Sequence, residues 1–323
     1  MSLAPLVYAM GRGPGRARSL SEDEAADAMR AMLAGTAEPE AVGALLMLMR
    51  YRGETPAEIA GFVTAARESL DGWAAVAPGL DWPSYAAGRS RGLPWFLLSA
   101  KLLAQAGVPV LLHGWTANAG KLSDPRQSLE SVDIPTVDTP ATARAALGKH
   151  GIAYLPLENL SPDLLRLLRL REVLGLRSAV NTVLRCLNPC DATASVQGVF
   201  HPPYRALQQE ASLRLGLGSL TVIKGGGGEF ERNPAKPIEV FGVTQTDAWT
   251  LTAPAKLHTA QRLAEGVAEC VDLAALWSGA AHDPFGIALV RGTAALALLA
   301  AGRAIDLEAA EAMAETLWLA RLA

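Results

Sequence analysis

The chain has 323 residues, half of them hydrophobic in type and 19% charged, with a formal net charge of −3. That length can bury a large core in one or two α/β lobes, and the composition excludes a disordered chain. The near-neutral balance argues against a dedicated nucleic-acid binder, and the longest apolar runs, such as "GTAALALLAAG" at 292–302, are too short to span a bilayer, so no membrane partner is expected.

The first nineteen residues, "MSLAPLVYAMGRGPGRARS", show no basic region ahead of an apolar stretch, unlike a secretion signal, and a cytoplasmic location is expected. "SEDEAADAMRAMLAG" opens with Ser21 and Glu24 in capping-box spacing, followed by Ala25, Met29, Met32 and Leu33 at helical intervals before Gly35. "EPEAVGALLMLMRYRG" reads as a second helix ending near Gly53. "TPAEIAGFVTAARESL" predicts a third, with Thr55 as N-cap, Pro56 at the first helical position and Glu58 three residues after the cap. Residues 1–70 are therefore expected to form a small helical domain, joined by part of 160–190, with 71–323 as a second domain.

Past residue 70 the period changes. "GVPVLLHG" (107–114), "GIAYLPL" (151–157), "SLTVIKG" (219–225) and "IEVFGV" (238–243) are short β-rich runs separated by mostly helical stretches. Strands apolar on both faces and alternating with helices imply a mainly parallel sheet covered by helices. The fold class is α/β: a small all-helical N-terminal domain and a large α/β domain. Ligands in such sheets sit at the carboxyl ends of the strands, which directs attention to the loops after Leu112, Leu157 and Ile223.

Three cysteines make no disulfide framework, and Cys186 and Cys190 lack zinc-ligand spacing. Five scattered histidines (113, 150, 201, 258 and 282) offer no pair on one helix face, so metal catalysis has no support from spacing. Four glycines in "VIKGGGGEF" (222–230) read either as a phosphate contact through the amides of Gly225, Gly226 and Gly227 with Lys224, or as a hinge loop without ligand. Residues 141–190 hold seven Lys/Arg against three Asp/Glu, whereas 261–323 hold four against eight. Such asymmetry can build a positive surface or simply decorate unrelated faces. Arg166 and Arg169 stand one helical turn apart in "PDLLRLLRLRE", with Leu164, Leu165, Leu167, Leu168 and Leu170 on the buried side, and Arg171, Arg177 and Arg185 extend the basic segment.

Five stretches together, the helical amino-terminal unit, "GVPVLLHG", "REVLGLRSAVNTVLRCLNP", "GVFHPPY" and "RGTAALALLAAGRA", make the chain resemble the anthranilate phosphoribosyltransferase and nucleoside phosphorylase superfamily (glycosyltransferase family 3) over essentially its whole length. The resemblance implies a hinged helical domain on an α/β domain, phosphoribosyl pyrophosphate and magnesium in the cleft between them, and a homodimer. Lys121, Arg171, Arg177, Asn181 and Asn188-Pro189 fall on family-like positions. The family's glycine loop GTGGDG is replaced by "SYAAGR" (84–89), its NIST by "PWFL" (94–97) and its KHGN by "LHGW", which retains His113 and Gly114. Phe230 interrupts the acidic pair that holds magnesium in the family, leaving Glu229 and Glu231 as weak metal candidates.

"GRGPGRARSLSEDEA", "SYAAGRSRG", "GVFHPPYRALQQEA" and "KGGGGEFERNP" in turn resemble the YbiB-type proteins, homologues without the enzyme activity that bind nucleic acid. That resemblance implies a homodimer without cofactor, binding single- or double-stranded nucleic acid through Arg89, Arg91, Lys121, Arg166, Arg169, Arg171, Arg177 and Lys224. The alternative expectation is a phosphoribosyltransferase using phosphoribosyl pyrophosphate, with magnesium as its cofactor. Loss of the pyrophosphate and magnesium groups weighs toward the binder.

Overall fold

The computed structural model describes residues 2–13, 15–85, 92–117, 121–258 and 272–322. Four helices come first: α1 (Ala4–Gly11), α2 (Glu22–Leu33), α3 (Pro39–Arg52) and α4 (Pro56–Glu68). Both expected capping boxes form. Ser21 Oγ accepts from the Glu24 amide at 3.2 Å while Glu24 Oε2 accepts from the Ser21 amide at 2.9 Å. Thr55 and Glu58 repeat the exchange, and Glu58, fully buried, also accepts the Leu20 amide at 2.9 Å. The cap of α4 thereby fixes the segment that enters α2. α1 carries no such cap, and only its Pro5 marks its start.

The second unit runs β1 (Leu80–Ser84), α5 (Phe96–Gln105), β2 (Val110–Gly114), α6 (Pro140–His150), β3 (Ile152–Pro156), α7 (Leu157–Leu160), α8 (Pro162–Arg169), α9 (Arg171–Leu174), α10 (Val180–Arg185), β4 (Ala194–Val199), α11 (Tyr204–Arg214) and β5 (Ser219–Lys224). It ends with the hairpin β6 (Ile238–Thr244) and β7 (Asp247–Ala253), then α12 (Leu273–Ser278), α13 (Pro284–Ala300) and α14 (Leu307–Ala320). The sheet order is β3-β2-β1-β4-β5-β6-β7, with β1 to β5 mutually parallel and β6 and β7 antiparallel.

Leu80 and Trp82 pack toward α5, α13 and α14, while Leu111, Ala153 and Leu155, on the opposite face, share a core with α2 to α4, α8 and α10. Burial on both faces is what made β2 and β3 read as continuous apolar runs. From β1 the chain builds β2 and β3 to one side, then returns to place β4 on the other. The order therefore reverses between β1 and β4, where a crevice opens at the carboxyl edge. β1 and β4 pair only at Asp81 opposite Ser195, and Ser195 Oγ donates to Asp81 Oδ2 at 2.7 Å.

Candidate functional site

Under that crevice lies a buried polar chain. Asp81 Oδ1 is 3.0 Å from His113 Nε2, and His113 Nδ1 is 2.8 Å from Tyr85 Oη, with all three side chains at 2% exposure or less. Burial pushes the Tyr85 hydroxyl well above its ordinary pKa, so it stays protonated and donates to Nδ1. That assigns the remaining imidazole proton to Nε2, facing the Asp81 carboxylate. Tyr85 is thus a fastened core residue.

The glycine run has a steric explanation. A Cβ on Gly225 would sit 1.6 Å from the Glu229 carbonyl oxygen, so the chain can double back there only without a side chain. The amides of Gly225, Gly228 and Glu229 are spent on the carbonyls of Val199, Gly225 and Gly226 at 3.1, 3.3 and 3.2 Å. The turn returns Glu229 to the end of β1, where its Oε1 accepts from Ser84 Oγ at 3.0 Å, and buries Phe230 edge-on against Trp82 at 5.5 Å between ring centroids. Glu231 Oε1 accepts the Phe96 amide at 3.1 Å, placing a carboxylate at the amino end of α5.

Magnesium, implied by the family resemblance, does not fit this donor set. Both carboxylates are at least 97% buried and bonded within the protein, Phe230 between them points into the core, and no cluster of three metal-ligating side chains occurs among the described residues. A hard cation that retains several waters needs an open oxygen-rich site. The space beside Glu229 is taken by Arg185, whose Nη2 donates to the Tyr85 carbonyl at 2.9 Å and Nη1 to the Asn181 carbonyl at 3.2 Å.

Between the helical unit and the ends of β4 and α10 a cleft opens. Its inner part, about 60 Å³, is lined by Arg50, Arg177, Asn181, Arg185, Phe200 and Tyr204 among others, and its outer part, about 350 Å³, adds Arg171, Gly175 and Leu176. Arg50 Nη1 donates to Tyr204 Oη at 2.9 Å, and that hydroxyl donates onward to Glu54 at 2.8 Å, joining the two units. Arg171 Nη1 is buried without a hydrogen-bond partner, and Arg177 makes neither a hydrogen bond nor an ion pair among the described residues. Burial first, then the Arg171 and Arg50 charges, lowers the pKa of Arg177. Three crowded guanidiniums without a paired carboxylate form an anion site.

Of the residues singled out in the sequence, the cleft gathers Arg171, Arg177, Asn181 and Arg185. Arg166 and Arg169 lie instead along the outer side of α8, each paired at 3.2 Å with an acid, Asp163 and Glu172, and Arg166 also donates to the Met32 carbonyl at 2.9 Å. Lys224 is exposed at the end of β5 and Lys121 is exposed in the loop after β2, while His113 and Gly114 are buried in the sheet. Arg89 and Arg91 lie outside the described residues. Arg50 was missed: no motif marks it, and it reaches Tyr204 only through tertiary packing, whereas "GVFHPPY" spans both His201 and Tyr204.

A helical bundle closing over the switch point of a parallel sheet, with cations at its mouth, defines the class: residues 9–70 match the helical bundle domain of the glycosyl transferase family. An anthranilate phosphoribosyltransferase of Afipia carboxidovorans is 30% identical over 301 residues, covering 90% of this chain and 88% of that one. One from Novosphingobium aromaticivorans is 30% identical, covering 91% and 92%. The solved anthranilate phosphoribosyltransferase of Thermus thermophilus superposes with a TM-score of 0.79 at 25% identity, over 99% of this chain and 94% of that one. The chain belongs to the anthranilate phosphoribosyltransferase family. These relatives overturn the expectation of a non-catalytic nucleic-acid binder and give the YbiB-type subgroup no support. The physical reason is in α8, whose basic face is neutralised by its own acids and stands outside the cleft. No helix among the described residues is long and apolar enough to cross a membrane.

Proposed function

We propose that the protein is a phosphoribosyltransferase of the anthranilate type, moving a phosphoribosyl group onto an anionic acceptor held in the cleft between the helical unit and β4. The observation that carries this reading is the trio Arg50, Arg171 and Arg177, gathered at the carboxyl edge of the sheet without a paired carboxylate. Holding like charges together costs stability, and an arriving phosphate or carboxylate offsets that cost through charge-assisted bonds. Phe200, 46% exposed and edge-on to His201 at 4.7 Å, offers an aromatic face beside the cations.

Self-association belongs to the same proposal, supported by Tyr8, Tyr51 and Val173 exposed on α1, α3 and α9. A dimer mass by light scattering is expected, and a monomer at micromolar concentration would exclude it. The catalytic reading is tested by following phosphoribosyl anthranilate fluorescence from phosphoribosyl pyrophosphate and anthranilate. Product that scales with protein and falls about a hundredfold in Arg177→Ala supports it. Absence of product together with absence of phosphoribosyl pyrophosphate binding would overturn it.

A further inference from the structure

We infer that Arg185 is a built-in cation: its guanidinium receives the phosphate oxygens of the ligand in the place where a divalent metal would otherwise be needed, so that phosphorylated ligands bind without magnesium. This rests on the phosphoribosyl reading above for the identity of the ligand, but not for the role of the residue.

The position comes first. Arg185 closes α10 and reaches into the crevice between β1 and β4, the point where the strand order reverses and ligands of parallel sheets collect. Only 8% of the residue is exposed, yet it lines the same cavity as Arg177 and Arg50. Its two bonds to the carbonyls of Tyr85 and Asn181 aim the group and use two of a guanidinium's five N–H donors. A planar guanidinium meets phosphate in bidentate fashion, and its remaining donors are the ones assigned to an oxyanion in the cleft.

Charge and space agree. Burial pushes the pKa of the Arg185 guanidinium down, and the Glu229 carboxylate at the end of the glycine turn is the largest charge opposing that shift. A Cβ on Gly228 would lie 3.0 Å from Arg185 Nη2, so the turn runs close beside the guanidinium. Glu229 and Ser84 are bonded to each other at 3.0 Å, and Glu231 caps α5. One oxygen of each acid is therefore engaged within the protein, and a fixed positive charge stands beside Glu229.

Isothermal titration of the full chain with phosphoribosyl pyrophosphate, in excess EDTA and in millimolar magnesium, tests this. Affinities within about twofold of each other are expected, because the metal adds nothing to a site whose cation is a side chain. Arg185→Met should weaken binding in EDTA by about tenfold or more, and Arg185→Lys should lose less because it keeps the charge. Binding by wild type that requires magnesium would overturn the inference, and that comparison needs no variant to fold. If phosphoribosyl pyrophosphate fails to bind in either buffer, the phosphoribosyl reading falls. Inorganic pyrophosphate then decides the role of Arg185 alone: binding in EDTA that Arg185→Met abolishes upholds it, and no binding refutes it.

Discussion

Arg185 Nη2 lies 2.9 Å from the carbonyl oxygen of Tyr85, a bond that ties the last residue of α10 to the residue just past β1. Tyr85 turns its other end to His113, which meets Asp81, which holds Ser195 of β4. One line of polar contacts thus runs from the cleft lining through the floor of the crevice and joins three strands to the helix that carries the cleft cation. Order at the site follows from burial of this line: each member is out of water and must find its partner within the protein.

Tyr85→Phe removes one hydroxyl and leaves His113 Nδ1 buried without a donor. The ring still fills its place, so the loss isolates the hydrogen bond. A destabilisation of about 1–3 kcal/mol is expected. Urea unfolding should show a lower midpoint with an unchanged slope. A shift below about 0.5 kcal/mol would mean that a water molecule takes over the bond.

Gly198→Ala tests whether the glycine turn is held by close packing. A Cβ there would lie 2.2 Å from the backbone carbon of Glu229, far inside contact distance, and backbone on both sides cannot step aside. The turn would be forced off β4, at about 2–4 kcal/mol. Displaced with it, Glu229 would lose Ser84, and binding of phosphate ligands should weaken in the same variant. Wild-type stability in Gly198→Ala would show that the turn has room.

How much of this was legible in the sequence differs by element, for physical reasons. The capping boxes of α2 and α4 were readable because a cap is a local contract between residues three apart. β2, β3, β5 and β6 announced themselves as β-rich apolar runs. β1 did not, since "LDWPS" carries an aspartate and a proline; Asp81 is buried only because Ser195 and His113 satisfy it from distant positions. β4, "ASVQGV", hides behind Gln197 and Gly198 in the same way. At the site, Arg171 and Arg177 could be found from a family-like stretch. Arg50 and Tyr204 are 154 residues apart and meet only through tertiary packing. The basic face of α8 misled because the sequence shows charges, while their cancellation by Asp163 and Glu172 depends on rotamers.

Arg177→Gln should separate stability from binding. Arg177 sits beside Arg171 and Arg50 with no carboxylate paired to it, so the folded chain without ligand carries the repulsion. Partial exposure and salt screen that repulsion, and relief of about 0.5 kcal/mol is expected, a rise in Tm of roughly 1–3 °C at low ionic strength. Phosphate should raise the Tm of wild type and leave that of the variant nearly unchanged. A variant that is both less stable and equally responsive to phosphate would remove Arg177 from the anion site.

Glu24 predicts an acid-dependent step in the stability of the helical unit. Its carboxyl is held at about 2, down from the ordinary 4.5, first by the hydrogen bonds from Arg18, both 2.6 Å, and then by the Ser21 amide of the capping box. A carboxyl whose folded pKa lies below its unfolded one contributes stability in full above the unfolded value, and loses it as pH falls through the folded one. The window is therefore from about pH 4.5 down to about 2. With 30% of the side chain exposed, solvent discounts the ion pair. Glu24→Gln keeps the reach back to the Ser21 amide but removes the charge, so at neutral pH it should cost about 0.5–1 kcal/mol. Other carboxyls titrate in the same range, which makes the difference between the two proteins the informative quantity. Urea midpoints of both, taken from pH 7 to pH 2, should converge as the wild-type carboxyl is protonated. Parallel curves down to pH 2 would show that Arg18 does not hold Glu24 in solution.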